Sequence, residues 1–224
     1  KQRIPHGAAR LRRRGDPTQM TTGSNKTSNM KQEYTITAYT ENQVGILNKI
    51  AIMFSRRKIS LESLNTSPSE VENIYRFTIV VKESESVVKN LVKQIGKIVD
   101  VLKVYVNTND EIIWQQIALY KVPTEIIMKE AKVERLLRAY GANAVVIRND
   151  YTVFESTGQD EEINKLLSEL HKYGLIEFVR SSRIAIMKAS EGIHKSILEL
   201  EKNDPTKDPI NNEFLSLKSK IFQM

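Results

Sequence analysis

The chain has 224 residues, of which 40% are hydrophobic and 27% charged, and it contains no cysteine. That balance supports a packed core and excludes a disulfide scaffold, a thiolate nucleophile and any cysteine-based zinc or iron–sulfur centre. No apolar run approaches the ~20 residues that span a bilayer, and no leader pattern stands at the start, so the sequence reads as a soluble, cytoplasmic protein.

The formal net charge of +7 is unevenly spread. Residues 1–30 hold seven basic side chains and one acid, Asp16, for a local charge of +6, which leaves +1 on the rest of the chain. This tail is rich in Gly, Ser, Thr, Asn and Arg and has no apolar period. It reads as disordered and vector-derived, with the natural start at Met30; a basic arm that grips phosphate is the alternative. The nearly neutral body lacks the electrostatic footprint of a nucleic-acid binder.

From Glu33 to Thr40 the chain alternates, with Tyr34, Ile36 and Ala38 on one face, which predicts a half-buried strand. A polar turn, Thr40 to Gly45, leads into a helical stripe of Ile46, Leu47, Ile50, Ala51, Met53 and Phe54, closed by the basic run Arg56-Arg57-Lys58. Ile59 to Leu64 reads as a second strand, and Asn65 to Asn73, with Pro68, as a loop. Ile74 to Val81 reads as a third strand, with Tyr75, Phe77, Ile79 and Val81 sharing a face. Ser84 caps a helix that turns Val87, Val88, Leu91, Val92 and Ile95 inward, and Val99 to Val106 completes a β-α-β-β-α-β order.

The order then repeats. Ile112 to Val122 is a strand. Thr124 caps one helix running through Val133 and Leu137 to Tyr140, with Gly141 at its stop. Two strands, Asn143 to Arg148 and Tyr151 to Ser156, meet at Asn149-Asp150; a helix from Asp160 to Tyr173 and a strand from Leu175 to Arg180 follow. Ile184 to Met187 extends the second sheet. The predicted class is α+β: two tandem ferredoxin-like βαββαβ units, residues 31–108 and 109–189, after the 1–30 tail and before a charged helical or irregular extension, 190–224. With two helices on one face of each sheet, the other face or the sheet edge calls for a partner, so an oligomer that continues the sheet is expected.

No catalytic constellation emerges. His6, His171 and His194 lie in the tail or on charged helical stretches, the acids sit among lysines at helical spacing, and neither a phosphate-binding loop nor a G-x-G-x-x-G run occurs. The informative stretch is Thr40 to Leu47. There a strand passes through a turn at Gly45 into a helix whose first N–H groups, on Gly45, Ile46 and Leu47, can face an anion such as a carboxylate. Gly45 allows close approach to the backbone, and Asn42 can donate and accept. The same residues also suit a purely structural turn.

The run Tyr39-Thr40-Glu41-Asn42-Gln43-Val44-Gly45-Ile46-Leu47-Asn48-Lys49-Ile50, with Phe54-Ser55-Arg56-Arg57 and Ile59-Ser60-Leu61-Glu62-Ser63-Leu64, resembles an ACT domain, and more narrowly the small regulatory subunits of acetolactate synthase. Ile98 to Val104 and Tyr151 to Gly158 resemble two later elements of that family in the same order. Lys58 departs from the family's usual Gly, and Ser60 stands where Asn is common.

This resemblance implies an N-terminal ACT domain followed by an ACT-like C-terminal domain, with no catalysis and no cofactor of its own. It implies a catalytic large-subunit partner that carries thiamine diphosphate, Mg²⁺ and FAD and makes 2-acetolactate from pyruvate. It also implies activation of that partner and feedback inhibition by valine or another branched-chain amino acid. The effector would sit between the ACT domains of a homodimer, on Asn42, Gly45, Ile46 and Leu47 of one chain and Ser60 and Leu61 of the other. Ser60 is shorter than the family's Asn and implies a weaker valine response, or none. Three rivals are a free-standing ACT sensor acting on another enzyme or transcription factor, an RNA binder stacking bases on Tyr75 and Phe77, and an enzyme using the second domain as a catalytic platform, for which the sequence offers no residues. Neither nucleic acid nor membrane is an expected partner.

Overall fold

A computed structural model describes residues 30–190 together with Gly192, Ile193 and Lys195. The predicted 1–30 tail, except Met30, and most of the 190–224 extension lie outside the described residues, as do His6 and His194. Among the described residues no helix is long and apolar enough to cross a membrane.

The first unit runs β1 (Gln32–Glu41), α1 (Ile46–Arg57), β2 (Ser63–Pro68), β3 (Ile74–Glu83), α2 (Glu85–Ile95) and β4 (Val101–Thr108). Its antiparallel sheet has the order β2-β3-β1-β4, the arrangement of a ferredoxin-like sandwich. Alternation on β1 and β3 sends Ile36, Ala38, Phe77, Ile79 and Val81 against Ile50 and Phe54 of α1 and Val88, Leu91 and Ile95 of α2. Phe77 is therefore core and Tyr75 packs against it, which removes the base-stacking platform of the RNA-binding reading.

A single 3₁₀ turn, Asn109–Glu111, leads to the second unit. This runs β5 (Ile112–Pro123), α3 (Thr124–Lys129), α4 (Ala131–Ala139), β6 (Asn143–Ile147), β7 (Tyr151–Gly158), α5 (Asp160–His171), β8 (Glu177–Arg180) and β9 (Ile184–Met187). The order β6-β7-β5-β8 repeats that of the first sheet. Ala118, Tyr120, Val122 and Phe154 pack on Val133, Leu137, Ile163, Leu166 and Leu170. As its sequence indicates, β9 pairs with β5, along Ile112 to Gln115.

Four expectations need correction. First, β2 begins at Ser63, not Ile59, and includes Pro68. Lys58 and Ile59 instead close α1 in a Schellman motif: the Lys58 N–H donates to the Ser55 carbonyl (3.1 Å), the Ile59 N–H donates to the Phe54 carbonyl (3.1 Å), and Ile59 is buried in the same core as Phe54. Ser60 to Glu62 then carry the chain out to the sheet edge, where Pro68 can end a strand at no cost in ladder bonds.

Second, the helix expected from Thr124 to Tyr140 breaks at Glu130 (φ −113°, ψ 88°). Ile127 and Val133 would lie about 120° apart on one continuous helix; the break lets both pack on the sheet core. Third, Thr124 is not a cap. Its hydroxyl meets the Arg148 carbonyl (2.7 Å) and the Thr152 hydroxyl (2.8 Å), tying the start of α3 to the β6–β7 turn.

The fourth concerns the outer face of the first sheet, one of the two surfaces, with the sheet edge, expected to call for a partner. Part of it is covered from within. The ribbon formed by β9 and the first residues of β5 lies across it, and the Arg76 guanidinium donates through Nη2 to the Ala185 carbonyl. Ile193 joins Tyr39, Val71 and Ile74 in a small apolar cluster. At the junction Arg183, 2% exposed, donates to Glu33 Oε1 (2.6 Å), Thr35 Oγ1 (3.1 Å) and Asn109 Oδ1 (3.0 Å) and stacks over Trp114 (3.6 Å from guanidinium carbon to ring centroid).

Candidate functional site

The turn between β1 and α1 is pinned on three sides. The Glu41 N–H donates to the Asp100 carbonyl (2.9 Å), the Asn42 N–H to the Asn73 carbonyl (2.9 Å), and the Gln43 N–H to the Glu41 carbonyl (2.9 Å). Asn73 holds a left-handed φ of 61°, which asparagine tolerates better than most residues. Lys49, in the first turn of α1, closes the arrangement with an ion pair to Asp100 (2.5 Å).

Gly45 occupies the N-cap of α1 with φ +87° and ψ −1°. A side chain there is conformationally strained, although a Cβ would meet nothing within 4 Å. Glycine therefore leaves the helix start without a side-chain cap. The Ile46 N–H is not free, as the sequence reading had it, because it donates to the Gln43 carbonyl at 3.3 Å. The first helical bond runs from Lys49 N–H to the Gly45 carbonyl (3.0 Å), so the Leu47 and Asn48 N–H groups have no acceptor within the helix. Asn42 and Gly45 are exposed, Ile46 is buried, and Val44 and Leu47 present apolar surface to solvent. The turn thus combines an open helix start, an amide side chain and a small apolar surface.

Asn42, Gly45, Ile46 and Leu47 come together in this turn. Ser60 and Leu61 do not join them within one chain: they are exposed beyond the other end of α1, a helix of 12 residues or about 18 Å. They precede β2 rather than starting it. A site that uses both sets needs two chains.

Comparison with known proteins gives this geometry a family. A model described as the AHAS small subunit-like ACT domain matches residues 36–103, and one described as the small subunit of acetolactate synthase matches residues 115–189. The acetolactate synthase small subunit of Bacillus subtilis is 31% identical over 163 residues, which is 72% of this chain and 93% of that protein. The chain belongs to the acetolactate synthase small-subunit family. The small subunit of Mycolicibacterium smegmatis is 27% identical over 166 residues, 74% of this chain and 97% of that protein. The crystal structure of the acetolactate synthase small subunit from Thermotoga maritima superposes with a TM-score of 0.64 at 21% identity, over 71% of this chain and 99% of that one, and shows the same fold.

Within this family frame, the departure at Lys58 acquires a physical meaning. Lys58 holds φ 55° and ψ 36°, a left-handed conformation that glycine adopts without steric cost. Sequence reasoning missed Asp100 and Asn73, which fix the turn through backbone carbonyls that carry no sequence signal. It also missed Arg183, whose partners Glu33 and Thr35 lie about 150 residues away.

Among the described residues no group of three or more His, Asp or Glu side chains is placed to hold a metal ion, and His171 is exposed at the end of α5.

Proposed function

We propose that this protein is the regulatory subunit that binds the catalytic large subunit of acetolactate synthase, raises its turnover and conveys feedback inhibition by valine. The observation that carries the reading is the match of both units, in order, to the family's two domain models. The large subunit would supply thiamine diphosphate, Mg²⁺ and FAD and condense two pyruvates to 2-acetolactate and CO₂. This chain's own work is binding and transmission.

The β1–α1 turn suits the effector. The carboxylate of valine would meet the Leu47 and Asn48 N–H groups at the positive end of α1, Asn42 would reach its polar atoms, and Leu47 would contact its side chain. Ser60 and Leu61 of a second copy would close the site, so effector binding and homodimer geometry would be linked. Valine can bias that geometry only by its differential affinity for two arrangements, typically ~1–3 kcal/mol.

The test is to mix the chain with its large subunit. Turnover should rise, valine should lower it, and Gly45→Asp should remove the valine effect while keeping the activation. Aspartate tolerates a left-handed φ better than most residues, and its carboxylate would repel that of the ligand. If mixing leaves turnover unchanged, the regulatory-subunit reading fails; a valine-induced rise in melting temperature without binding to the large subunit would instead identify a free-standing sensor.

A further inference from the structure

The outer face of the first sheet and the β5–β9 ribbon do not close fully against each other. A cavity of about 350 Å³ remains between them, within the size range of small-ligand sites. One wall is polar and comes from β2 and β3: Asn65, Ser67, Arg76 and Thr78. The opposite side comes from β5 and β9: Ile113, Ile184 and Ile186, with Gln115, share one face of the ribbon, and Trp114 and Ala185, which pair on the other face, also border the cavity.

Arg76 is the notable group. It is half-buried, its Nη2 is used by the Ala185 carbonyl, and its ring contact with Tyr39 is at 5.6 Å. Its Nε is buried and has no acceptor. Among the described residues it forms no ion pair with a carboxylate, and no acidic side chain lines the cavity. A partly desolvated guanidinium that borders a cavity and forms no ion pair with a carboxylate favours an anion.

We infer that this cleft binds a small monocarboxylate with an apolar body and no ammonium group. The carboxylate would accept from Arg76 and from the Ser67 and Thr78 hydroxyls, and the hydrocarbon part would lie against Ile184 and Ile186, beside Trp114. An amino acid fits poorly, because its ammonium would face Arg76 with no carboxylate to receive it. The site is separate from the β1–α1 turn and draws its two walls from different units, so its ligand would bear on how the units sit together.

Trp114 is the chain's one tryptophan and lines the cavity, so its fluorescence reports occupancy. The full chain is titrated with 3-methylbutanoate, with valine (the same skeleton bearing an ammonium) and with inorganic sulfate. The expected result is a saturable change with 3-methylbutanoate, half-complete at about 1 mM or below, and at least about tenfold weaker responses to valine and sulfate. Arg76→Met should weaken the response about tenfold or more. Thr78→Val, which keeps the shape and removes one donor, should weaken it several-fold and covers the case in which Arg76→Met does not fold. No change at Trp114, equal binding of valine or sulfate, or unaltered binding by Thr78→Val and a folded Arg76→Met would each overturn the assignment.

Discussion

Replacing Arg183 by methionine keeps most of the volume and removes the charge at the junction of the two units. The guanidinium is 2% exposed and makes three hydrogen bonds, one of them an ion pair with Glu33 at 2.6 Å, and it stacks on Trp114. Breaking a fully buried pair typically costs about 3–5 kcal/mol. Here the discount is considerable. Glu33 keeps 29% of its side-chain exposure and Asp160, 3.7 Å away, keeps 39%, so water can solvate the carboxylates left behind. Arg183 Nε is itself buried without a partner, a cost that the variant removes. Methionine retains contact with Trp114. The net expectation is a loss of about 2–3 kcal/mol, or about 5–10 °C in melting temperature for a chain of this size. Urea unfolding of Arg183→Met, Glu33→Gln and the double variant gives the coupling between the two groups, expected at about 1–2 kcal/mol. Loss of the clamp should also split the unfolding curve, because the two hydrophobic cores are separate. A single transition within about 0.5 kcal/mol of the parent would refute this reasoning and place Arg183 among buried ions that a hydrophobic residue can replace freely.

Lys58→Gly relieves a left-handed residue at the end of α1, worth about 1–2 kcal/mol, against the extra unfolded-state entropy of glycine; the net gain should be about 0.5–1 kcal/mol, read as a higher urea midpoint, and a loss would show that the lysine side chain makes contacts worth more than the strain. Burial pushes the Tyr120 phenol above its ordinary value, so the folded state favours the neutral form. The stability this contributes is present below the unfolded-state value and is lost as pH climbs through the raised folded one. Tyr120→Phe should cost about 1 kcal/mol at neutral pH, through the lost donation to the Ile163 carbonyl (3.1 Å), and should flatten the fall in stability above about pH 9. An unchanged alkaline slope would contradict it.

The elements legible in the sequence were those with one wet and one dry face. On α2 and α5 the apolar spacing alone identifies the buried residues and β5 alternates over its whole length, whereas β1, read as half-buried, is buried on both faces from Tyr34 to Thr40, and Leu47 of the α1 stripe is exposed. β2 failed because Ser63-Leu64-Asn65-Thr66-Ser67-Pro68 is an edge strand with almost no apolar signal, whereas Ile59, which looks like the start of a strand, anchors a helix end. At the candidate site Gly45 marked the turn correctly, but hydrogen bonds from Ile46 and Asn42 to backbone carbonyls depend on where Gln43 and Asn73 fall in space. The sequence singles out neither Arg76 nor Arg183, since nothing local marks the face that a distant segment will cover.

That covered face is polar, and its polarity decides how firmly the two units are joined. Thr35, Asn65, Ser67, Arg76 and Thr78 line the outer surface of the first sheet where the ribbon and the Arg183 side chain approach it. A hydrophobic interface would gain about 25 cal/mol for each Å² of apolar surface buried. A polar one gains far less, because each protein hydrogen bond replaces one made to water. The apolar contribution is small: the cluster around Trp114 lies within the ribbon itself, and only the one around Ile193 reaches the first sheet. The relative placement of the units therefore depends on a few directional contacts, chiefly those of Arg183 and the Arg76–Ala185 bond. Contacts of that kind can be exchanged for others at low cost, as in the interfaces between domains that shift against each other. A ligand that recruits Arg76 alters one of these few contacts directly, and the shift it can impose is limited by its own differential affinity for the two placements.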